Sequence, residues 1–215
     1  VVAQITEGTG FDKHGRPFRR RNARPAIGAL IVLLVATGAV WTIALTRPPD
    51  VHEVAACNPP PERADPPQPR LGTPVSRATM TNVAPAKLAD TKLRVLNASG
   101  RGGQAAEVAG MLHDLGFAQP TAANDPVYAN SKLNCQGQIR FGDAGEAGAA
   151  ALWLVAPCAE LFRDDRTDDS VDLALGTDFN TLARSGDIET MLTGLRPGAE
   201  PADTALLSKI HAGSC

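Results

Sequence analysis

Histidine and cysteine are scarce in this 215-residue sequence, four of each, and neither is spaced for a metal. No C-x-x-C or H-x-x-H occurs, and His14, His52, His113 and His211 are scattered, so no metal site and no zinc is expected. A nucleophile–base pair is missing as well. Ser99 has the look of a nucleophile, but no histidine is placed by sequence to activate it, and a serine at a strand end usually caps the helix that follows. Charge is absent from one long stretch, Ala26 to Leu45, "AIGALIVLLVATGAVWTIAL", whose only polar residues are Thr37 and Thr42. With no polar stripe this is not the helix of a globular surface. Twenty residues at about 1.5 Å each span roughly the 30 Å core of a bilayer. A removable signal peptide is the rival reading. The length of the run, and "TRPPD" in place of a small-x-small site behind it, argue against that. Residues 26–45 are therefore expected to be a transmembrane helix in contact with a lipid bilayer.

The net charge of −2 hides a split. Lys13, Arg16, Arg19, Arg20, Arg21 and Arg24 precede the apolar run, against Glu7 and Asp12; Arg47 alone follows closely. Positive charge stays inside, which predicts a cytoplasmic basic stub over residues 1–25 and an extracytoplasmic remainder. That stub suits anionic headgroups, and no globular basic surface accompanies it, so nucleic acid is not an expected partner. Cys57, Cys135, Cys158 and Cys215 all fall on the outer side, where an even count reads as two disulfides with three possible pairings.

Residues 48–74 hold nine prolines, including "CNPPPERADPPQP". Proline fixes φ and donates no ladder hydrogen bond, so residues 46–85 read as an extended extracytoplasmic linker. From residue 86 the pattern alternates. Lys92–Ser99 reads as a strand and Gly103–Leu115 as a helix, with Ala105, Val108, Ala109, Leu112 and Leu115 on one face and Gly116 ending it. A weak strand over Ala118–Ala123 and a strand over Gly137–Phe141 follow. Asp143 can cap a helix from Ala144 to Val155, stopped by Pro157. Ser170–Gly176 alternates as a fourth strand, and two helical patterns, Asp187–Leu195 and Pro201–His211, form a tail. The order predicts an α+β domain over residues 86–215 with the βαββαβ ferredoxin-like, split βαβ plan.

The stretch "RVLNASGRGGQAAEVA" (Arg94–Ala109) fits G-x-G-x-x-[G/A] between a strand and a helix, the written form of a dinucleotide fingerprint. That fold needs more βα units than about 80 residues allow, and an acid about 20 residues on to hold the ribose. The nearest is Asp125, in a loop before Pro126. Gly100, Gly102 and Gly103 are better read as making a tight turn, and no cofactor is expected. Arg101 is expected to be exposed there, with little effect on stability when replaced by Ala; bulk at Gly103 should destabilise. The acidic run "RDDRTDDS" (Arg163–Ser170), interleaved with arginine, reads as a solvated turn rather than a cation site. The small residues of "AGEAGAAAL" leave two readings, room for an apolar ligand beside Trp153 or close helix–sheet packing, and the second is preferred.

"RVLNASGRGGQAAEVAGMLHDLGF", "IRFGDAGEAGAAAL" and "VDLALGTDF" together resemble the LytR C-terminal (LytR_C) domain, over roughly residues 91–180. In that family a strand ending in N-G-[ST]-G leads into a helix, and the domain closes with L-G-x-D-[FY]. Asn97, Ser99, Gly100, Gly103, Leu175, Gly176, Asp178 and Phe179 match; Ala98 replaces the usual glycine and Gln104 the usual leucine. Ala98 should thus not sit at φ > 0. The resemblance covers only this appended module, without the catalytic domain of full LytR-type ligases. It implies a non-catalytic envelope protein that supports cell-envelope integrity by binding cell-wall glycan, a lipid or an envelope protein partner. The alternative is an envelope hydrolase or transferase using Ser99, Asp125 or the acidic run.

The topology also suggests a pairing for the cysteines. A second helix antiparallel to the third strand would return Cys158 to the start of that strand, beside Cys135. Cys57 and Cys215 would then pair and clamp linker and tail together.

Overall fold

The computed structural model describes His14 and residues 24–46, 56–61, 70–199 and 204–212. Two compact units emerge, residues 1–51 and 52–215. The first contains helix α1 (Arg24–Thr46). Its large apolar side chains, Leu30, Leu33, Val35 and Trp41 among them, are exposed. Thr37 Oγ1 donates to Leu33 O at 2.8 Å and Thr42 Oγ1 to Ala39 O at 2.9 Å. Each hydroxyl is satisfied inside the helix, as an apolar solvent requires. By length and composition α1 can cross a membrane.

The second unit is built on one mixed sheet. Its strands are β1 (Thr73–Pro74), β2 (Lys92–Asn97), β3 (Thr121–Asn124), β4 (Gly137–Phe141), β5 (Glu160–Arg163) and β6 (Ser170–Leu175), in the order β1-β5-β4-β6-β2-β3. Between them lie α2 (Arg77–Met80), α3 (Gln104–Leu115) and α4 (Glu146–Trp153), with α5 (Gly186–Gly194) and α6 (Thr204–Ala212) behind. β2–α3–β3 is one parallel unit and β4–α4–β5 a second; β6 lies between them, parallel to β2 and antiparallel to β4.

This order is not the ferredoxin-like one. β3 and β4 form no hairpin but are separated by β6 and β2. The expectation failed at β5, "ELFR", four residues too short to show a period. With β5 in place, α4 crosses to a parallel strand of its own, and β6 is left to close the gap between the two units. The mixed α/β character and the elements over 92–97, 104–115, 137–141 and 170–175 agree with the sequence reading.

Alternation gives the sheet two different faces. Leu93, Val95, Ile139, Phe141, Val171 and Leu173 point into the main core with α3, α4 and the tail helices. α4 is buried along its length from Gly148 to Trp153, because it has a layer on either side. A Cβ on Gly148 would come within 3.1 Å of Thr91 and 3.2 Å of Val171. The small residues thus allow close helix–sheet packing, and Trp153 instead stacks on His211 of α6, ring centroids 4.0 Å apart. The chain ahead of β2 joins this layer too. β1 pairs antiparallel with β5, and Met80 is fully buried. On the opposite face a row of Arg94, Asp172 and Arg140 runs in register across β2, β6 and β4. Beside it a smaller core gathers Leu96, Ala98, Val127, Tyr128, Leu133, Cys135 and Ala174.

Candidate functional site

The glycine turn after β2 is held by its own side chains. Asn97 Nδ2 donates to Arg101 O at 2.6 Å, and its Oδ1 accepts from Ser99 N at 3.1 Å. Ser99 Oγ accepts from Arg101 N at 3.1 Å and donates to Gln104 Oε1 at 2.5 Å. Gly100 and Gly103 take φ of 78° and 79°, the left-handed conformation glycine favours; Gly102 does not. Ala98 stays out of that region, as expected, since the only described non-glycine there is Gln119.

The turn is tied to the end of β6. Arg101 Nη2 donates to the carbonyl oxygen of Phe179, and Gln104 Nε2 reaches the same oxygen at 3.3 Å. Gly176 packs so tightly that a Cβ would lie 2.0 Å from Cys135 O, and Thr177 N and Asp178 N donate to Leu133 O and Cys135 O. The N-x-S-G and L-G-x-D-F pieces are therefore one structural unit. Arg101 departs from its expected role: its backbone is at the surface, but its guanidinium is anchored to the 177–179 segment.

The residues of the enzymatic alternative are committed elsewhere. Asp125 is 1% exposed and meets Arg140, itself 3% exposed, at 2.9 Å between Oδ2 and Nη2. Its Oδ1 accepts from Arg140 Nη1 at 3.2 Å and from Val127 N at 2.7 Å. Gln138 Oε1 accepts from Arg140 Nε and Nη2. The acid at ribose distance from the glycines is thus inside the protein. In the acidic run, Arg166 bridges Asp164 (2.6 Å) and Asp172 (2.8 Å), Arg94 holds Asp172 (2.6 Å), and Lys92 holds Asp169 (2.9 Å). Burial pushes the Asp164 carboxyl up, but hydrogen bonds from Arg166 outweigh it and hold the group below its ordinary range. Burial likewise lowers Arg166, and its two carboxylates more than restore it, so it stays charged. Among the described residues no group of three His, Cys, Asp or Glu side chains could hold a metal ion.

Cys57 is bonded to Cys135, Cα atoms 4.9 Å apart. This overturns the expected Cys135–Cys158 and Cys57–Cys215 pairs. Cys158 is disulfide-bonded as well, and Cys215 lies outside the described residues. The topological argument brought the right part of the fold together: Cys158, Gln136 and Gly137 line one cavity. What it could not see is that residues 56–61 arrive there first. Cys57 N donates to Glu160 Oε1 at 3.0 Å, Asn58 Nδ2 to Lys132 O at 3.0 Å, Asn134 N to Asn58 Oδ1 at 2.6 Å and Tyr128 Oη to Asn58 O at 2.7 Å. This strap closes the smaller core.

The cavity, of about 150 Å³, lies between the loop after α4, the start of β4 and residues 179–183. Val155, Ala156, Leu173, Phe179 and Leu182 make its apolar walls, with Gln136 and Thr181 as polar groups. Of its lining, the sequence reading singled out only Phe179, as a motif residue, and Cys158, as a disulfide cysteine.

These features sit in a recognisable lineage. Residues 90–179 match the family model LytR_C, "LytR cell envelope-related transcriptional attenuator". The full chain is 70% identical over 216 residues to the cell envelope integrity protein Cei of Mycobacterium tuberculosis, covering 100% of both chains. The chain belongs to the Cei family of cell envelope integrity proteins. A crystal structure of the soluble domain of a conserved hypothetical secreted protein from Mycobacterium marinum is similar as well. It has 69% identity and a TM-score of 0.67, covering 68% of this chain and 99% of that one. Within the family frame, the turn residues Asn97, Ser99, Gly100 and Gly103 and the Leu175–Phe179 segment explain one another as mutual packing.

Proposed function

We propose that the chain is a non-catalytic envelope protein, anchored by α1 with residues 1–25 cytoplasmic, whose outer domain binds a lipid, cell-wall glycan or an envelope protein. The observation that carries this is the state of Ser99. The residue is 2% exposed and its hydroxyl donates to Gln104, which makes it a brace of the turn, not a nucleophile awaiting a base. The apolar helix and the basic residues ahead of it support the orientation.

In a strain lacking its own copy, Ser99→Ala should restore the envelope barrier to large hydrophilic solutes as well as the parent chain does, once expression is matched. Complete loss of rescue with the domain folded would favour the hydrolase or transferase reading. Protease added to intact spheroplasts should remove residues after 46; protection of that part would overturn the orientation.

A further inference from the structure

The geometry points to the 150 Å³ cavity as a binding site for the methyl end of a membrane lipid's acyl chain, a proposal that rests on the binding reading above. A volume of this size is enough for a six-carbon guest such as benzene. Apart from the polar groups of Gln136 and Thr181, the walls here are mostly aliphatic, with Phe179 the one aromatic ring, which suits a flexible hydrocarbon end.

Each wall is fixed independently. Phe179 is held through its carbonyl by Arg101 and Gln104. Ala183 N donates to Val155 O at 2.7 Å, joining two lining residues across the space. Gly137 lies against the strap, its carbonyl oxygen 3.7 Å from Cys57 Sγ, and Cys158 is held by its disulfide. Walls that are braced separately resist collapse, so a guest meets the space already formed. The motif turn thereby acquires a purpose: it positions a cavity wall. The source of the guest follows from the chain. Only ten residues separate Thr46 from Cys57, so at most about 40 Å of chain links the proposed membrane helix to the strap.

The test uses the full chain in phosphatidylglycerol nanodiscs doped with a phospholipid whose acyl chain carries a diazirine at its methyl end. After irradiation, peptides containing residues 155–159 and 179–183 should carry label. Ala183→Leu, which fills the space from a partly exposed position, should lower that label about tenfold while leaving the disulfides and thermal midpoint in place; Ala156→Leu serves if it does not fold. Ala122→Leu, on the exposed edge strand β3, should change nothing. Label confined to residues 24–46, or equal label on the cavity peptides of both filled variants, would overturn the proposal. Permeability is not read here, so failure leaves the non-catalytic reading standing, whereas loss of Ser99→Ala rescue would sink that reading alone.

Discussion

At the residue scale, the motif positions divide by why they are needed. Gly103 is required by its φ of 79°, with open space around it, whereas Gly176 is required by the 2.0 Å approach of Cys135 O. Gly103→Val should therefore cost about 1–2 kcal/mol from the left-handed backbone, read as a lowered urea midpoint. Gly102→Ala, with nothing within 4 Å of a Cβ and no positive φ, should be close to neutral. Arg101→Ala should cost about 1.5–3 kcal/mol, the range for a hydrogen bond from a charged group, because it releases the Phe179 carbonyl. The sequence-based expectation of a negligible effect missed a partner 78 residues away. Asp125→Ala should be worse, about 3–5 kcal/mol, since it leaves the Arg140 guanidinium buried without its carboxylate. Chemical denaturation of each variant decides the ranking.

At the scale of elements, α6 is held by an aromatic contact that titrates. His211 stacks on Trp153, and Arg77 lies over the same ring at 5.3 Å. Both His211 nitrogens are buried without a hydrogen-bond partner among the described residues. Burial first, and the Arg77 charge second, push the imidazole from its ordinary 6.5 down to about 4. The unfolded chain accepts this proton at a pH where the folded one refuses it. Stability is therefore unaffected above about pH 6.5 and falls as pH drops from 6.5 towards 4. His211→Phe should flatten that window of the thermal-midpoint profile while keeping the stacking. A parent profile without the slope, or a variant profile that keeps it, would mean the imidazole is better solvated than its neighbours indicate. The same scale shows why β5 escaped sequence reading and α3 did not. α3 has three turns of consistent apolar face and closes at Gly116, φ 109°, while β5 is a strand only because β4 and β1 flank it.

At the scale of the molecule, the disulfide between Cys57 and Cys135 closes a loop of 78 residues. On the chain-entropy account that stabilises the fold by about 4–5 kcal/mol. Peptide mapping without reductant should return Cys57–Cys135. Because the sequence holds four cysteines and Cys158 is bonded, the remaining fragment should join Cys158 to Cys215. Cys57→Ser should lower the thermal midpoint and expose Tyr128 and Leu133 of the smaller core to hydrogen exchange at nearby amides. Unchanged exchange there would show that the Asn58 hydrogen bonds hold the strap without the bond.

What the sequence determined alone is local or compositional. The uncharged run that makes α1, the charge asymmetry around it, the turn glycines and the faces of β2, α3 and β6 all follow from composition or spacing within a single continuous stretch. So does the family, because each of its motif pieces, Asn97–Gly103 and Leu175–Phe179, is short and continuous in the sequence. The tertiary structure decided the strand order, the disulfide partner, the anchoring of Arg101 and the existence of the cavity. Each depends on groups distant in sequence, 78 residues apart for Cys57 and Cys135 and for Arg101 and Phe179, and nothing in a single strand or helix states which neighbour it will find. Cys57 shows the reason best. Three partners were open to it by count, and the choice was made by Asn58, Tyr128 and Glu160, which dock the strap at the mouth of the smaller core and leave Cys135 the sulfur within reach.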